Sequence, residues 1–208
     1  MNASLIALAS AFVLIANGPL ALAASSTNLT VAGSITPSAC VPTMSQDGIV
    51  EYGKIPAKDL HVDKSTFLPP VTLQLKVACA AQTLFALNTR DNRLGTAHIS
   101  QRYYYGLGLI NGDQKLGKYE IGVFNPVADT LVYPLFSADY GTTWIMNSSG
   151  SYMGHDYWNA FGDTLTPKAL SSVTVDLRIA TSIAPARDLT LTGEVPLDGS
   201  ATLDVVYL

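Results

Sequence analysis

Residues 71–79 read Val-Thr-Leu-Gln-Leu-Lys-Val-Ala-Cys, so Val71, Leu73, Leu75, Val77 and Cys79 alternate with Thr72, Gln74, Lys76 and Ala78. A period of two places those five on one face of a strand and turns the other face to solvent. The same alternation recurs at Leu29 and Val31, at Val173, Val175, Leu177 and Ile179, at Leu189, Leu191, Gly193 and Val195, and at Leu203, Val205 and Tyr207. Turn signals separate these runs. Asn111-Gly112-Asp113 stands between residues 103–110 and 119–124 as a hairpin turn would, and Pro69, Pro70, Pro126, Pro134, Pro167, Pro185 and Pro196 punctuate the rest. No long window keeps apolar residues at helical spacing. The pattern predicts an all-β chain, and short strands at turn-separated intervals predict a β-sandwich rather than a large closed barrel.

Charge divides the chain unevenly. Only 13% of the 208 residues are charged, against about 25% in an ordinary soluble domain, and none of the 12 basic or 16 acidic residues precedes Asp47. A net charge of -4 without a basic block argues against nucleic acid and against electrostatic attachment to an anionic membrane. The uncharged start has two parts. Residues 5–16 are a continuous apolar run, broken by Asn17, Gly18 and Pro19, and Ala21-Leu22-Ala23 then presents the small residues of a cleavage site. A membrane span needs about 20 apolar residues, so this run is read as a secretory signal over residues 1–23. The mature protein is then a single domain over residues 24–208, with no further stretch of spanning length.

Export sets the redox reading of the two cysteines, Cys40 and Cys79. A disulfide is the default in an oxidising compartment, with two buried free thiols as the alternative. Neither has a Cys or His within a few residues, so no zinc spacing is present and no metal or cofactor is expected.

Three features carry candidate chemistry. Residues 137–144 contain Ser137, Asp139, Gly141, Thr143 and Trp144 in the Ser-x-Asp-x-Gly-x-Thr-Trp order of the Asp-box, a motif that resembles the hairpin repeated in sialidase propellers. A propeller needs several such blades, and one box predicts a stabilised hairpin instead of a catalytic centre. His155 and Asp156 lie near Ser148, Ser149 and Ser151, but without a Gly-x-Ser-x-Gly elbow residues 147–162 read more simply as a loop, and His61 and His98 sit in unrelated segments. No catalytic residue is assigned. Finally, eight of the ten Tyr and both Trp fall between Tyr103 and Trp158, which suits either core and loop packing or a surface that binds a glycan or protein.

The ends of the mature chain carry a family resemblance. Gly33-Ser34-Ile35 followed by Ala39-Cys40, then Val50-Glu51-Tyr52-Gly53-Lys54-Ile55, then a second Cys closing an alternating strand, and last Leu203, Val205 and Tyr207 with Tyr next to the end, together resemble the subunits of chaperone-usher fimbriae. The match covers residues 33–79 and 173–208, while the centre, about 85–165, departs from it. The resemblance implies an immunoglobulin-like, pilin-like sandwich that lacks its final strand and carries an elaborated central region. It implies a groove edged by Leu203, Val205 and Tyr207, filled first by a periplasmic pilus chaperone and, at the usher, by the N-terminal extension of another fimbrial subunit. It also implies a location in the periplasm, fimbrium or cell surface of a Gram-negative bacterium. Leu29 and Val31 are the candidate donor residues of this chain. The alternative is a self-sufficient exported sandwich that binds a glycan or surface protein through its aromatic centre.

Overall fold

The computed structural model describes Thr30 and residues 39–208, and the strands all belong to the compact unit Thr36–Leu208. The signal segment, the candidate donors Leu29 and Val31, and the Gly33 motif lie outside the described residues. In chain order the strands are β1 (Cys40–Met44), β2 (Thr66–Phe67), β3 (Val71–Thr83), β4 (Phe85–Asp91), β5 (Tyr105–Gly106), β6 (Leu109–Ile110) and β7 (Gln114–Lys115). They continue with β8 (Gly117–Ala128), β9 (Tyr133–Ser137), β10 (Ile145–Met146), β11 (Ser151–Met153), β12 (Trp158–Gly162), β13 (Leu170–Ile183) and β14 (Ala201–Tyr207). Among the described residues the only helices are short 3₁₀ turns.

Two antiparallel sheets form a sandwich. The first runs β1-β3-β13-β8-β11, with β2 beside β13 and β5 beside β8; the second runs β10-β9-β12-β4-β14. The alternation at 71–79 explains the first sheet's inner face. Leu73, Leu75 and Val77 of β3 stand opposite Leu177, Val175 and Val173 of β13, and on the other side of β13 Leu177 and Ile179 face Val123 and Ile121 of β8. All are buried, so three neighbouring strands present continuous apolar rows to the second sheet. Phe85 and Leu87 of β4 and Phe161 of β12 meet those rows from the other side.

Several local expectations change. Asn111 and Gly112 do make a hairpin turn, both at positive φ (53° and 93°), but it joins β6 to the two-residue β7 instead of to residues 119–124. The stretch 147–162, read as a loop from its Gly, Ser and Asn, contains β11 and β12. Asn159 is the reason that reading failed: it is buried in β12, and its amide donates to the Tyr152 carbonyl at 3.1 Å, so a polar residue fills a core-facing position. Residues 50–55 and 189–195, which read as strands from sequence, form no strand among the described residues.

β1 lies on β3 with Cys40 directly opposite Cys79, and the two are joined in a disulfide. The bridge closes a loop of 39 residues. Replacing both cysteines by Ala is expected to lower the urea midpoint and remove up to about 4 kcal/mol, the chain-entropy value for a loop of that size. Unchanged unfolding curves with and without reductant would show that the β1 pairing stands without it.

An open groove as the candidate functional site

Each sheet ends at an edge on the same side of the sandwich. Among the described residues β1 is paired only with β3, and β14 only with β4. Between the chain that follows β1 and the chain that leads into β14 the apolar interior stays open as a groove of about 930 Å³. Residues 50–57 border one side, and residues 193–201 with Leu203 border the other. Leu73, Leu177, Ile179 and Ile183 of the first sheet supply its floor, and Leu107, Leu116, Ile121 and Met153 its walls.

The two borders explain why residues 50–55 and 189–195 alternate without pairing. Val50, Leu191 and Val195 pack against the core, which requires a period of two, while no backbone hydrogen bond to another strand is made by 50–55 or 191–197 among the described residues. Burial supplies the pattern; the missing neighbour withholds the ladder. One exposed ion pair crosses the mouth, Lys54 Nζ to Glu194 Oε2 at 3.0 Å, and at such exposure it adds little stability.

Polar groups cluster at one end. The Thr89 and Tyr105 hydroxyls are 2.6 Å apart, the Tyr52 hydroxyl donates to Thr181 Oγ1 at 2.9 Å, and the Tyr105 and Tyr119 rings stack at 5.1 Å. Burial raises the pKa of both Tyr105 and Tyr119, so each phenol stays protonated throughout the physiological range. The Asp91 carboxylate closes this end, accepting from the Gly106 and Arg93 amides at 2.9 and 2.8 Å. Arg93 itself reaches Asp198 with two of its guanidinium nitrogens, Nη2 at 2.7 and Nε at 2.8 Å, and so pins the segment leading into β14.

The three residues assigned to the groove from sequence share the inward face of β14, opposite Thr89, Leu87 and Phe85 of β4. Leu203 lines the groove and Val205 packs against the core beside it, both only half-buried. Tyr207 lies beyond the lining. It remains 41% exposed, and its hydroxyl accepts from the Cys40 amide at 2.9 Å, tying the end of β14 to the start of β1. The border residues 50–57 and 193–201 were not assigned to the groove from sequence, because alternation reports burial and says nothing of a partner.

The Asp-box forms its own hairpin turn between β9 and β10. Ser137 Oγ donates to Asp139 Oδ1 at 2.6 Å and accepts from the Gly141 amide at 2.8 Å; Asp139 also receives the Thr143 amide and hydroxyl at 2.9 and 2.6 Å. Trp144 packs with Met146 and Trp158 on Ala86, Leu135 and Ala160, a small second core on the outer face of the second sheet. His155 and Asp156 approach only to 3.8 Å, Asp156 is shared with Arg102, and no hydrogen bond joins His155 to Ser148, Ser149 or Ser151 among the described residues. Burial lowers the pKa of His98, whose Nε2 lies 3.0 Å from Ser65 Oγ. Among the described residues no group of three His, Cys, Asp or Glu is arranged for a metal, and no helix is long and apolar enough to cross a membrane.

Comparison with known proteins adds a family match and two relatives. Residues 29–110 match the family described as a protein of unknown function, DUF1120. The chain is similar to Protein GltF of Escherichia coli strain K12, with 29% identity over 252 residues covering 100% of this chain and 98% of that one. It is also similar to the uncharacterized protein YhcF of the same strain, with 25% identity over 224 residues covering 90% and 93%.

The hydrogen bonds from Ser137 and then from Thr143 hold the Asp139 carboxyl at about 2, below its ordinary 3.8. A depressed carboxyl pKa stabilises the folded hairpin above the unfolded value and loses that contribution as pH falls from about 3.8 toward about 2. Trp144 and Trp158 fluorescence is therefore expected to report local opening in that window. Ser137→Ala, which removes the hydroxyl bond to Asp139, should move the opening to higher pH; an identical transition in the variant would refute this cause.

Proposed function

We propose that this chain is an exported, non-enzymatic, fimbrial-subunit-like protein of a chaperone-usher system, completed by a β-strand donated from another chain. The observation that supports it most is the open groove between two extended, unpaired borders, with an apolar floor and β14 as a free edge. An extended segment laid in such a groove gains main-chain hydrogen bonds from the edge and places alternate side chains on the floor. Each large apolar side chain buried this way is worth about 1.5 to 3 kcal/mol, so a few of them stabilise a sandwich that alone leaves Leu203 and Val205 half-wet.

Further features agree with this reading. The Cys40–Cys79 disulfide fits an oxidising compartment such as the periplasm, as does the signal-like start. A periplasmic pilus chaperone would occupy the groove first and the usher would exchange it for another subunit's extension. Leu29 and Val31 are the residues this chain would donate in turn, at the surface or within a fimbrium.

The reading is tested by producing the mature chain alone and together with a pilus chaperone. The expected result is poor soluble yield and broad unfolding alone, a one-to-one complex with the chaperone, and slower amide exchange along β14 in that complex. Leu203→Ser should weaken the complex by roughly tenfold, the effect of losing one buried apolar contact of 1 to 2 kcal/mol. Cooperative unfolding of the lone monomer, with no change in β14 exchange when chaperone is added, would overturn the reading.

A further inference from the structure

The Asp-box hairpin does more than close a turn. Its tip places Tyr140, a non-glycine residue, at φ 56°, and yet leaves this aromatic side chain 65% exposed. A bulky residue in the left-handed region is costly, and Gly or Asn would be cheaper there. Burial does not account for Tyr140. The four hydrogen bonds around Asp139 and Ser137 hold the tip rigid, so the ring is presented in a fixed place.

What it faces is a second aromatic. The Tyr140 and Trp158 rings meet edge to face, with centroids 6.0 Å apart and planes at 81°, which makes a right-angled corner. From Trp158 a row of directly opposed residues crosses the outer face of the second sheet: Trp158 stands opposite Asn88 of β4, and Asn88 opposite Asp204 of β14. Neighbouring strands lie about 4.8 Å apart, so aromatic, amide and carboxylate follow one another at that spacing. The Asn88 amide is half-buried and makes no side-chain hydrogen bond among the described residues. Asp204 is neutralised by Arg90 at 3.1 Å.

We propose that this corner and row bind a neutral carbohydrate. An aromatic face accepts the C–H side of a pyranose ring, while a free amide and an adjacent carboxylate offer both a donor and acceptors to its hydroxyls. The charges on the row form a closed pair, which favours an uncharged sugar over an acidic one. Two strand spacings from Trp158 to Asp204 suit a disaccharide lying across the sheet. The site is on the face of the second sheet turned away from the groove, and it does not depend on strand donation.

The two tryptophans of the chain, Trp144 and Trp158, both belong to this region, so intrinsic fluorescence reports on it directly. Lactose, cellobiose and N,N′-diacetylchitobiose are titrated into the complex of the chain with a chaperone and into the soluble fraction of the chain alone. The expected result is a saturable change with at least one of these sugars, with the same constant in both forms, and weakened at least about tenfold by Tyr140→Gly and by Asn88→Ala. Tyr140→Gly removes the ring while easing the backbone, so its thermal midpoint should be equal or higher, which separates lost binding from lost folding. No saturable change with any of the three sugars overturns the proposal, as does binding that neither substitution weakens. Capture of a purified protein at this face, abolished by Tyr140→Gly without any sugar response, overturns the carbohydrate assignment.

Discussion

Among the described residues one edge of β14 is unpaired, and the architecture turns on that edge. A β-strand with one side unpaired must be covered, blunted or matched, because its N–H and C=O groups otherwise offer a template to any other chain. The opposite edges of the two sheets are blunt: β11 has three residues and β10 two. β14 has seven, and beside it the interior is open. The sandwich has therefore concentrated its unfinished backbone and its unfinished core at one seam. That coincidence distinguishes a groove from an accidental gap, since main-chain pairing and apolar burial would be satisfied by the same incoming segment.

The Asp-box hairpin shows the contrary economy. The Ser137, Asp139, Thr142 and Thr143 side chains all find partners within the turn, and its tryptophan closes a small core of its own. Such local saturation makes the hairpin independent of whatever fills the seam. The second sheet thus carries one turn whose polar side chains are bonded locally and, among the described residues, one edge strand that is unpaired on its outer side.

The fold class was legible because period-two alternation is imposed by burial on one face, and residues 71–79 and 173–179 show it without interruption. The disulfide was legible from compartment logic, and the structure adds that Cys40 and Cys79 are direct cross-strand neighbours. Residues 50–55 and 189–195 mark the limit. Their alternation is interrupted, by Lys54 in the first and Gly193 in the second, and a ladder also needs a neighbour, which is a property of topology. Asn159 marks another limit, since its polarity pointed to a loop while its amide nitrogen donates to the Tyr152 carbonyl inside. Leu203 and Val205 were placed on the correct face by alternation alone; Tyr207 was too, but its role is set by the Cys40 amide, 167 residues away in sequence, which no local pattern foretells.

That contact joins the first strand of the unit to its last, and it has a mechanical consequence. Cys40 is hydrogen-bonded to the end of β14 and covalently attached to β3, whose long pairing with β13 forms the centre of the first sheet. Tension applied through the polypeptide ahead of Ala39 would be delivered at Cys40 to the middle of the sandwich, bypassing the unpaired residues 50–55. Under pulling, residues 50–55 would carry no load, because they lie inside the loop that the disulfide closes.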